Sequence, residues 1–336
     1  MPASNPWRVR ARPSFWRALV GATLGLAVAV GAATYVARQR EVVLRDAERE
    51  LQNLGLVLAN WVEAGFRSIE QLEVGVLDWI HAEGIDEPGD FTARLSSRDV
   101  HEALRARAAA LPRVRRLFVT NAEGRTVASS SSWPPPNFTS AGRDFFDALR
   151  GDARRDGVLS APSQSLVDRR WTIYVSRRIT APDGRLLGTV VAAIDLGYFE
   201  DLFAGLALGP QSAVGLIQRD GELLAHHPRL ERAIGVPIAK STLLERILSA
   251  PKDNVLRGPS PLDGVDRVQA VRSLDGYPLV ILATRATDGV LAPWWREAQG
   301  IALAVLLVEG LILGIALLTD RMARQRTALH RLALER

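Results

Sequence analysis

Glu309 is the charged residue with the least ordinary setting, because it lies inside a long apolar run near the C-terminus. A carboxylate in mid-bilayer costs about 2 to 3 kcal/mol on insertion scales unless it is neutral or paired. Gly310 and Gly314 follow with the G-x-x-x-G spacing that lets membrane helices approach closely, and Gly21 and Gly25 repeat it. We therefore predict that Glu309, Gly310 and Gly314 belong to a contact between membrane helices. Ordinary bilayer composition is the alternative, since small residues are common there.

Side chains suited to catalysis or metal binding are scarce. His226 and His227 are adjacent, so on a strand they point to opposite faces, and no cysteine is present to complete a ligand set. The sequence contains neither G-x-S-x-G, H-E-x-x-H, G-x-G-x-x-G, a P-loop nor the Gly-Gly-Asp/Glu-Glu-Phe cyclase signature. We therefore predict a chain that is not an enzyme and has no metal site and no cofactor.

Two apolar runs, residues 18–37 and 298–319, are long enough as helices to cross a hydrocarbon core of about 30 Å. The flanking segments 1–17 and 320–336 are rich in arginine, and such segments stay in the cytoplasm. The sequence thus predicts two transmembrane helices, cytoplasmic termini and an outer domain over about residues 38–297. A cleaved signal peptide is the alternative for the first run.

The net charge of +5 arises from the two tails, which hold four arginines without an acid and five arginines with two acids. The outer domain is close to neutral, so its charge does not indicate binding to nucleic acid. It has no cysteine and therefore no disulfides. A domain of about 260 residues is large enough to bury its own core without them.

The outer sequence begins with one long helix and continues with strands. Leucine and tryptophan recur at intervals of seven or fourteen over residues 38–80, which predicts a helix packed along the domain or against a partner helix in a dimer. From Val114 the period changes to that of strands, and hairpins and short helices follow twice in the same order. We predict an α+β fold with a membrane-distal sheet module over 81–205 and a membrane-proximal one over 206–293.

Five segments carry a family resemblance: 142–149 (GRDFFDAL), 171–178 (WTIYVSRR), 190–195 (VVAAID), 219–221 (RDG) and 276–278 (GYP). Their order resembles that of the double-Cache, or PDC, periplasmic sensor domains, which precede diguanylate cyclases and histidine kinases in bacteria. The resemblance covers residues 18–320. It implies two tandem PAS-like antiparallel-sheet modules on a long N-terminal helix, flanked by two transmembrane helices, with the outer domain in the periplasm of a bacterial inner-membrane protein.

The resemblance also implies a ligand site in the distal module. Family members that bind amino acids hold the ligand's carboxylate and amine with an Arg-x-Trp-Tyr segment, a later Tyr and a closing Asp. Arg143 and Asp195 match the charged anchors, but Phe145 and Phe146 replace the Trp and Tyr, and Ser163 stands near the later Tyr. Because arginine binds carboxylates through two parallel hydrogen bonds, the expected ligand is a small anionic or zwitterionic molecule. An α-amino acid is disfavoured.

Strand alternation narrows the remaining candidates for the pocket. Trp171 and Tyr174 point to opposite faces of one strand, so at most one of them faces a ligand from that strand. Tyr174 shares its face with Thr172 and Ser176, which favours Tyr174, while a core role is the alternative for Trp171. The candidate ligand-binding residues are Arg143, Asp195, Tyr174, Phe146 and Trp171.

The expected protein is the ligand-sensing and transmembrane part of a bacterial receptor that works as a homodimer. Residues 320–336 carry leucines among arginines and resemble the first turns of a signalling helix. The resemblance favours a diguanylate cyclase as the output, with a sensor histidine kinase as the alternative. An envelope scaffold or interaction protein without signalling output is the alternative from another class.

Overall fold

The structure is a computed structural model that describes residues 13–85, 87–206, 208–230, 232–236, 245, 253–260 and 262–334. It divides into two compact units. The helical unit contains the residues up to Ala47 and those from Asp288 onward, and the sheet unit is Glu48–Thr287. Of the predicted cytoplasmic segments, residues 1–12 and 335–336 lie outside the described residues.

The helices with described bounds are α1 (Pro13–Ala82), α2 (Pro88–Leu95), α3 (Arg98–Ala109), α4 (Asp144–Gly151), α5 (Gly197–Ala204) and α6 (Thr287–Leu334). Helix α1 joins the first predicted transmembrane run and the predicted long helix without a break. Among the described residues, α1 and α6 each contain a stretch long and apolar enough to cross a membrane. These two helices include the apolar runs predicted from the sequence.

In the sheet unit, helix α1 buries one stripe of side chains: Leu51, Leu58, Val62, Phe66, Ile69, Val76 and Ile80. The predicted heptad positions Leu72 and Trp79 are only partly buried. An α-helix drifts by about 20° per heptad from a strict seven-residue repeat, so neighbours three or four residues apart take over the buried face. Glu73 lies on the same stripe and is also buried.

The first sheet consists of β1 (Val114–Asn121), β2 (Thr126–Ser129), β3 (Gly157–Leu159), β4 (Ser163–Gln164), β5 (Trp171–Thr180) and β6 (Leu186–Asp195). Its order is β2-β1-β6-β5-β3, with β4 also paired to β5, and every pair is antiparallel. Gly124 in the β1–β2 turn has φ +85°, a backbone conformation that side chains disfavour.

The second sheet consists of β7 (Ser212–Gln218), β8 (Leu223–His227), β9 (Asp253–Pro259), β10 (Asp266–Ser273) and β11 (Leu279–Ala286). Its order is β8-β7-β11-β10-β9, which repeats the order of the first sheet strand for strand. The prediction of an α+β fold with two PAS-like antiparallel-sheet modules after a long N-terminal helix is therefore confirmed.

The two faces of the first sheet pack against different helices, one against α1 and the other against α4. Ile173 and Val175 belong to the large core that includes the buried stripe of α1. Phe118 and Tyr174 lie on the other face, where they form a smaller cluster with Phe145 of α4. Because strand side chains alternate, this second face receives Tyr174 of β5, together with Phe146 of α4, but not Trp171.

Candidate ligand-binding site

A small cavity lies on the α4 face of the first sheet. Its lining residues come from β1, β5, α4 and the loops between them: Arg116, Phe118, Phe138, Thr139, Ser140, Arg143, Phe145, Leu166 and Tyr174. The free volume is about 10 Å³, which is close to the minimum that one water molecule needs. The described side chains therefore nearly fill the site.

Arg143 is the N-cap residue of α4, with φ −88° and ψ 139°. Its guanidinium donates hydrogen bonds to Tyr174 Oη at 3.2 Å and to Ser163 Oγ at 3.3 Å. It also lies 5.3 Å from the centroid of the Tyr174 ring, which Phe145 stacks against at 4.9 Å. The structure thus brings Arg143 and Tyr174 together in one cavity, with Ser163 nearby.

Arg116 is a cavity residue that the sequence interpretation missed. Only 6% of the residue is exposed, and its Nε has no hydrogen-bond partner among the described residues. Burial lowers the pKa of Arg116, although Asp168 opposes this, and a guanidinium remains charged at any physiological pH. Its position two residues before Phe118 on β1 was the available signal, because such residues share a face.

Asp195 lies at the end of β6 and does not line the cavity. Its Oδ2 accepts hydrogen bonds from Arg170 at 3.0 Å and Arg115 at 3.5 Å, and its Oδ1 accepts one from Gly197 N–H at 3.0 Å. The carboxylate therefore has partners on both oxygens within the protein. It is the end of an arginine network rather than an open anchor.

Asp168 completes that network next to the cavity. Arg115 Nε donates to Asp168 Oδ2 at 2.7 Å. Burial favours a higher pKa for Asp168, but hydrogen bonds from Ser165, Arg170 N–H and Arg115 outweigh it, so the pKa lies below its usual value. Asp168 is therefore a carboxylate already held by positive and hydrogen-bonding groups.

The other two predicted residues lie outside the cavity. Phe146 is fully buried beneath the β1–β2 turn, where a Cβ added to Gly124 would touch its ring. Trp171 lies on the opposite face from Tyr174, and its ring fills the space where a Cβ on Gly235 would project. The prediction of Trp171 in the pocket thus needs correction, because alternation directs it toward the second sheet's segment at Gly235.

In the helical unit, Glu309 contacts another helix of the chain, whereas Gly310 and Gly314 have open space beside them. The Glu309 carboxyl contacts Gly25 of α1, so closely that a Cβ there would collide with it. Gly21 faces Ile312, whose Cγ2 would lie 3.5 Å from a Cβ at Gly21. No described atom lies within 4 Å of a Cβ built at Gly310 or Gly314. The first G-x-x-x-G pair therefore packs within the chain.

The adjacent histidines show no metal-binding arrangement. His226 is buried, and its Nδ1 donates to the Pro228 carbonyl oxygen at 2.6 Å. Burial lowers the pKa of His226. Within the part of the chain that the structure describes, no group of three His, Cys, Asp or Glu side chains is close enough to hold a metal ion.

Residues 25–294 match the sequence profile of the Cache domain. The chain belongs to the Cache-domain family. The match spans both sheets and most of α1, which confirms the predicted resemblance to double-Cache periplasmic sensor domains. A Cache domain between two helices able to cross a membrane is the arrangement of a membrane protein that senses outside the cytoplasm. No curated protein is similar enough in sequence to count as a match.

Solved structures with the same fold are sensory domains. The extracellular domain of rpHK1S-Z16, assigned as a histidine kinase, is 28% identical with a TM-score of 0.65, over 75% of this chain and 100% of that one. The Campylobacter jejuni chemoreceptor Tlp1 periplasmic sensory domain is 10% identical with a TM-score of 0.60, over 75% and 99%. The ligand-binding domain of the Pseudomonas fluorescens chemoreceptor CtaA, solved with L-isoleucine, is 15% identical with a TM-score of 0.54, over 76% and 98%. The last two likenesses concern the fold alone.

Proposed function

We propose that this chain is the ligand-sensing and transmembrane part of a bacterial receptor, and that its first sheet binds a small anionic ligand. One observation carries the ligand class. The cavity combines the guanidinium groups of Arg116 and Arg143 with the Tyr174 hydroxyl, and none of the described residues that line it is acidic. Two arginines and a hydroxyl are donors that match a carboxylate or another small oxyanion.

The surroundings of Asp195 favour an anion over a zwitterion. In the relatives that bind amino acids, the closing Asp holds the amine of the ligand. Here Arg170 and Arg115 already bind Asp195 Oδ2. An incoming ammonium group would have to displace one of these arginines and would meet the positive charge of both. A simple carboxylate meets no such obstacle at Arg143 and Arg116.

Ligand entry requires side chains to move, because the free volume is about 10 Å³. Leu166, which is 56% exposed, lies on the loop between β4 and β5 and can swing outward at little cost in buried area. Arg143 would exchange its contacts with Tyr174 and Ser163 for the ligand. The free energy available for signalling comes from the difference in ligand affinity between the arrangement in which Arg143 contacts Tyr174 and Ser163 and the arrangement in which it contacts the ligand.

Membrane orientation and dimerisation complete the proposal. The arginine-rich tails support cytoplasmic termini with residues 38–297 in the periplasm. Leu56, Val57 and Val74 are exposed apolar residues of α1 in the sheet unit, which supports a helix contact in a homodimer. Glu309, Gly310 and Gly314 would then act in the membrane, with Gly310 and Gly314 open to a partner helix.

The output class remains a choice between enzymes. The diguanylate cyclase assignment depends on the second module's segments 219–221 (RDG) and 276–278 (GYP). The similarity to rpHK1S-Z16, at 28% identity, favours the histidine kinase. Sequencing the reading frame beyond Arg336 separates them. A Gly-Gly-Asp/Glu-Glu-Phe domain supports the cyclase, a kinase domain supports the histidine kinase, and a stop codon supports the envelope scaffold.

Calorimetric titration of succinate into the purified full chain in detergent tests the ligand site. We expect Arg143→Ala to weaken succinate binding at least tenfold, about 1.4 kcal/mol, because it removes a charged donor from the cavity. Arg150→Ala is the matched control on the same helix, since Arg150 is exposed and pairs with Asp147 at 3.5 Å. Equal binding by the Arg143 and Arg150 variants, or no binding by the unmodified chain across a panel of small carboxylates, would contradict the proposal.

A further inference from the structure

A second cavity lies on the opposite face of the first sheet. Its free volume is about 410 Å³, within the range of about 300 to 1,000 Å³ that small-molecule sites occupy. Helix α1 supplies one wall, β3 and the adjoining part of β5 supply another, and the turn between β10 and β11 supplies the third. It shares no lining residue with the cavity at Arg143.

Glu73 of α1 lines this cavity in an unusual state. Only 1% of the residue is exposed, and neither carboxylate oxygen has a hydrogen-bond partner of ordinary geometry among the described residues, although the backbone N–H of Ala192 lies near enough to favour the charged form. Buried carboxyl groups without partners cost several kcal/mol when charged, so native structures rarely keep them. Burial raises the pKa of Glu73 well above its usual value, with Arg177 opposing and Glu70 reinforcing the shift.

The groups around Glu73 divide into an acidic side and a basic side. Glu70 lies one helical turn from Glu73 and accepts a hydrogen bond from the Tyr277 hydroxyl. Burial raises the pKa of Tyr277, and Glu70 adds to this shift. The Tyr277 ring packs with its centroid 5.0 Å from that of the Phe66 ring. Both rings line the cavity together with Glu70 and Glu73. On the other side, the Nε of Arg177 is buried and also has no partner among the described residues.

The outer rim is polar and close to neutral. Arg155 and Asp156 are exposed and line the cavity where it opens beside β3. The described lining thus contains three acids against two arginines. The side formed by α1 is acidic and aromatic, and the side formed by β5 is basic.

We propose that this cavity is a second ligand site, specific for a small organic amine whose ammonium group binds Glu73 and whose far end carries a hydrogen-bond acceptor for Arg177. An ammonium group supplies three donors, which would satisfy the oxygens of Glu73 and reach Glu70. The partly buried Tyr277 ring lines the cavity and attracts a cation through its ring quadrupole. A hydroxyl at the other end of the ligand would accept from the Arg177 Nε.

Such a ligand would act on the packing of three elements at once. It would touch α1, the first sheet and the Tyr277 turn of the second sheet, which no single module contains. A bound amine stabilises whichever arrangement of these elements presents Glu73, Arg177 and Tyr277 together. The site would therefore supply a second input, of opposite charge class to the anion at Arg143.

Ethanolamine is the probe, because it carries an ammonium group and a hydroxyl on a two-carbon chain. Calorimetric titration into the full chain in detergent should show binding that Glu73→Gln weakens at least tenfold and that Arg143→Ala leaves unchanged. Titrations in buffers of different ionisation enthalpy should show proton release on binding, because the amine displaces the proton of Glu73. Near-UV circular dichroism of the Glu73 variant checks that it is folded.

Each other outcome overturns the proposal. No binding heat and no proton release would mean that the cavity holds water only. Binding unchanged by Glu73→Gln would place the amine elsewhere, and binding lost in Arg143→Ala would place it in the first cavity. Succinate is the matched anionic probe: it should depend on Arg143 and not on Glu73, so failure of one site is distinguishable from failure of the other.

Discussion

Replacing Glu73 with glutamine is expected to flatten the pH dependence of the stability of the sheet unit. Burial raises the pKa of this carboxyl in the folded protein well above its ordinary value of 4.5. Between those two pKa values the folded state holds a proton that the unfolded state has released. The free energy of unfolding therefore falls as pH rises through this window, and the stabilising effect of the proton is fully present only below the ordinary pKa.

The size of the effect follows from proton linkage. One proton bound by the folded state alone changes the free energy of unfolding by about 1.4 kcal/mol per pH unit. For a unit of this size, 1 kcal/mol shifts Tm by about 2 to 4 °C. Glutamine keeps the shape of Glu73 without a titrating group. Within the window between the ordinary and the raised pKa, the unmodified protein should therefore lose about 3 to 6 °C per pH unit relative to Glu73→Gln.

Thermal unfolding of the full chain in detergent, followed by near-UV circular dichroism at pH 5, 6 and 7, measures this difference. His226, whose pKa burial lowers, contributes equally to both proteins and cancels. Glu123→Gln is the control, because Glu123 is an exposed carboxyl in the β1–β2 turn, on a different element from Glu73. Identical pH dependence in the unmodified protein and Glu73→Gln would refute the reasoning, and so would a Tm of the unmodified protein that rises relative to that of Glu73→Gln as pH increases.

Two glycine substitutions test close packing elsewhere. Gly25→Leu should force α1 away from Glu309 of α6. Disulfide crosslinking between cysteines introduced into the two helices of this cysteine-free chain should therefore decrease, whereas Gly31→Leu, with open space around it, should leave it unchanged. Equal crosslinking in the two variants would exclude the contact. Gly188→Ala should lower the free energy of unfolding by about 1 to 3 kcal/mol, because its Cβ would overlap the Thr120 carbonyl oxygen on β1, and chemical denaturation that leaves this value unchanged would contradict the strand spacing.

The fold was predictable because its signals are local. The sequence of strand β5 follows the two-residue alternation, and the Gly124 turn marks the first hairpin. The helical period predicted a helix to about residue 80, and Leu72 and Trp79 of the seven-residue repeat pack against the core while staying only partly buried. A helix that packs on sheets follows its natural twist, whereas a seven-residue repeat holds only where a partner helix winds around it.

The candidate site was predictable in part. Arg143 and Tyr174 were named from the family pattern and strand alternation, and they meet in the cavity at 3.2 Å. Arg116 escaped notice because Arg115 precedes it, and only its spacing of two residues from Phe118 indicates which of the two arginines shares the cavity face. Asp195 was named as a charged anchor for the ligand, but its carboxylate pairs with Arg115 of β1 and Arg170 of the loop before β5, which the sequence did not indicate.

Local composition and period are encoded in short stretches of chain, so they were enough to predict the two apolar helices, the α+β fold and the repeated order of hairpins and helices. Which charges have partners depends on residues far apart along the chain. Glu73 and Arg177 lie on separate elements, and only the packing of α1 on the first sheet buries both without hydrogen bonds of ordinary geometry for the Glu73 oxygens and the Arg177 Nε. Burial and pairing are properties of the tertiary structure, and they determine which polar groups are left for a ligand to bind.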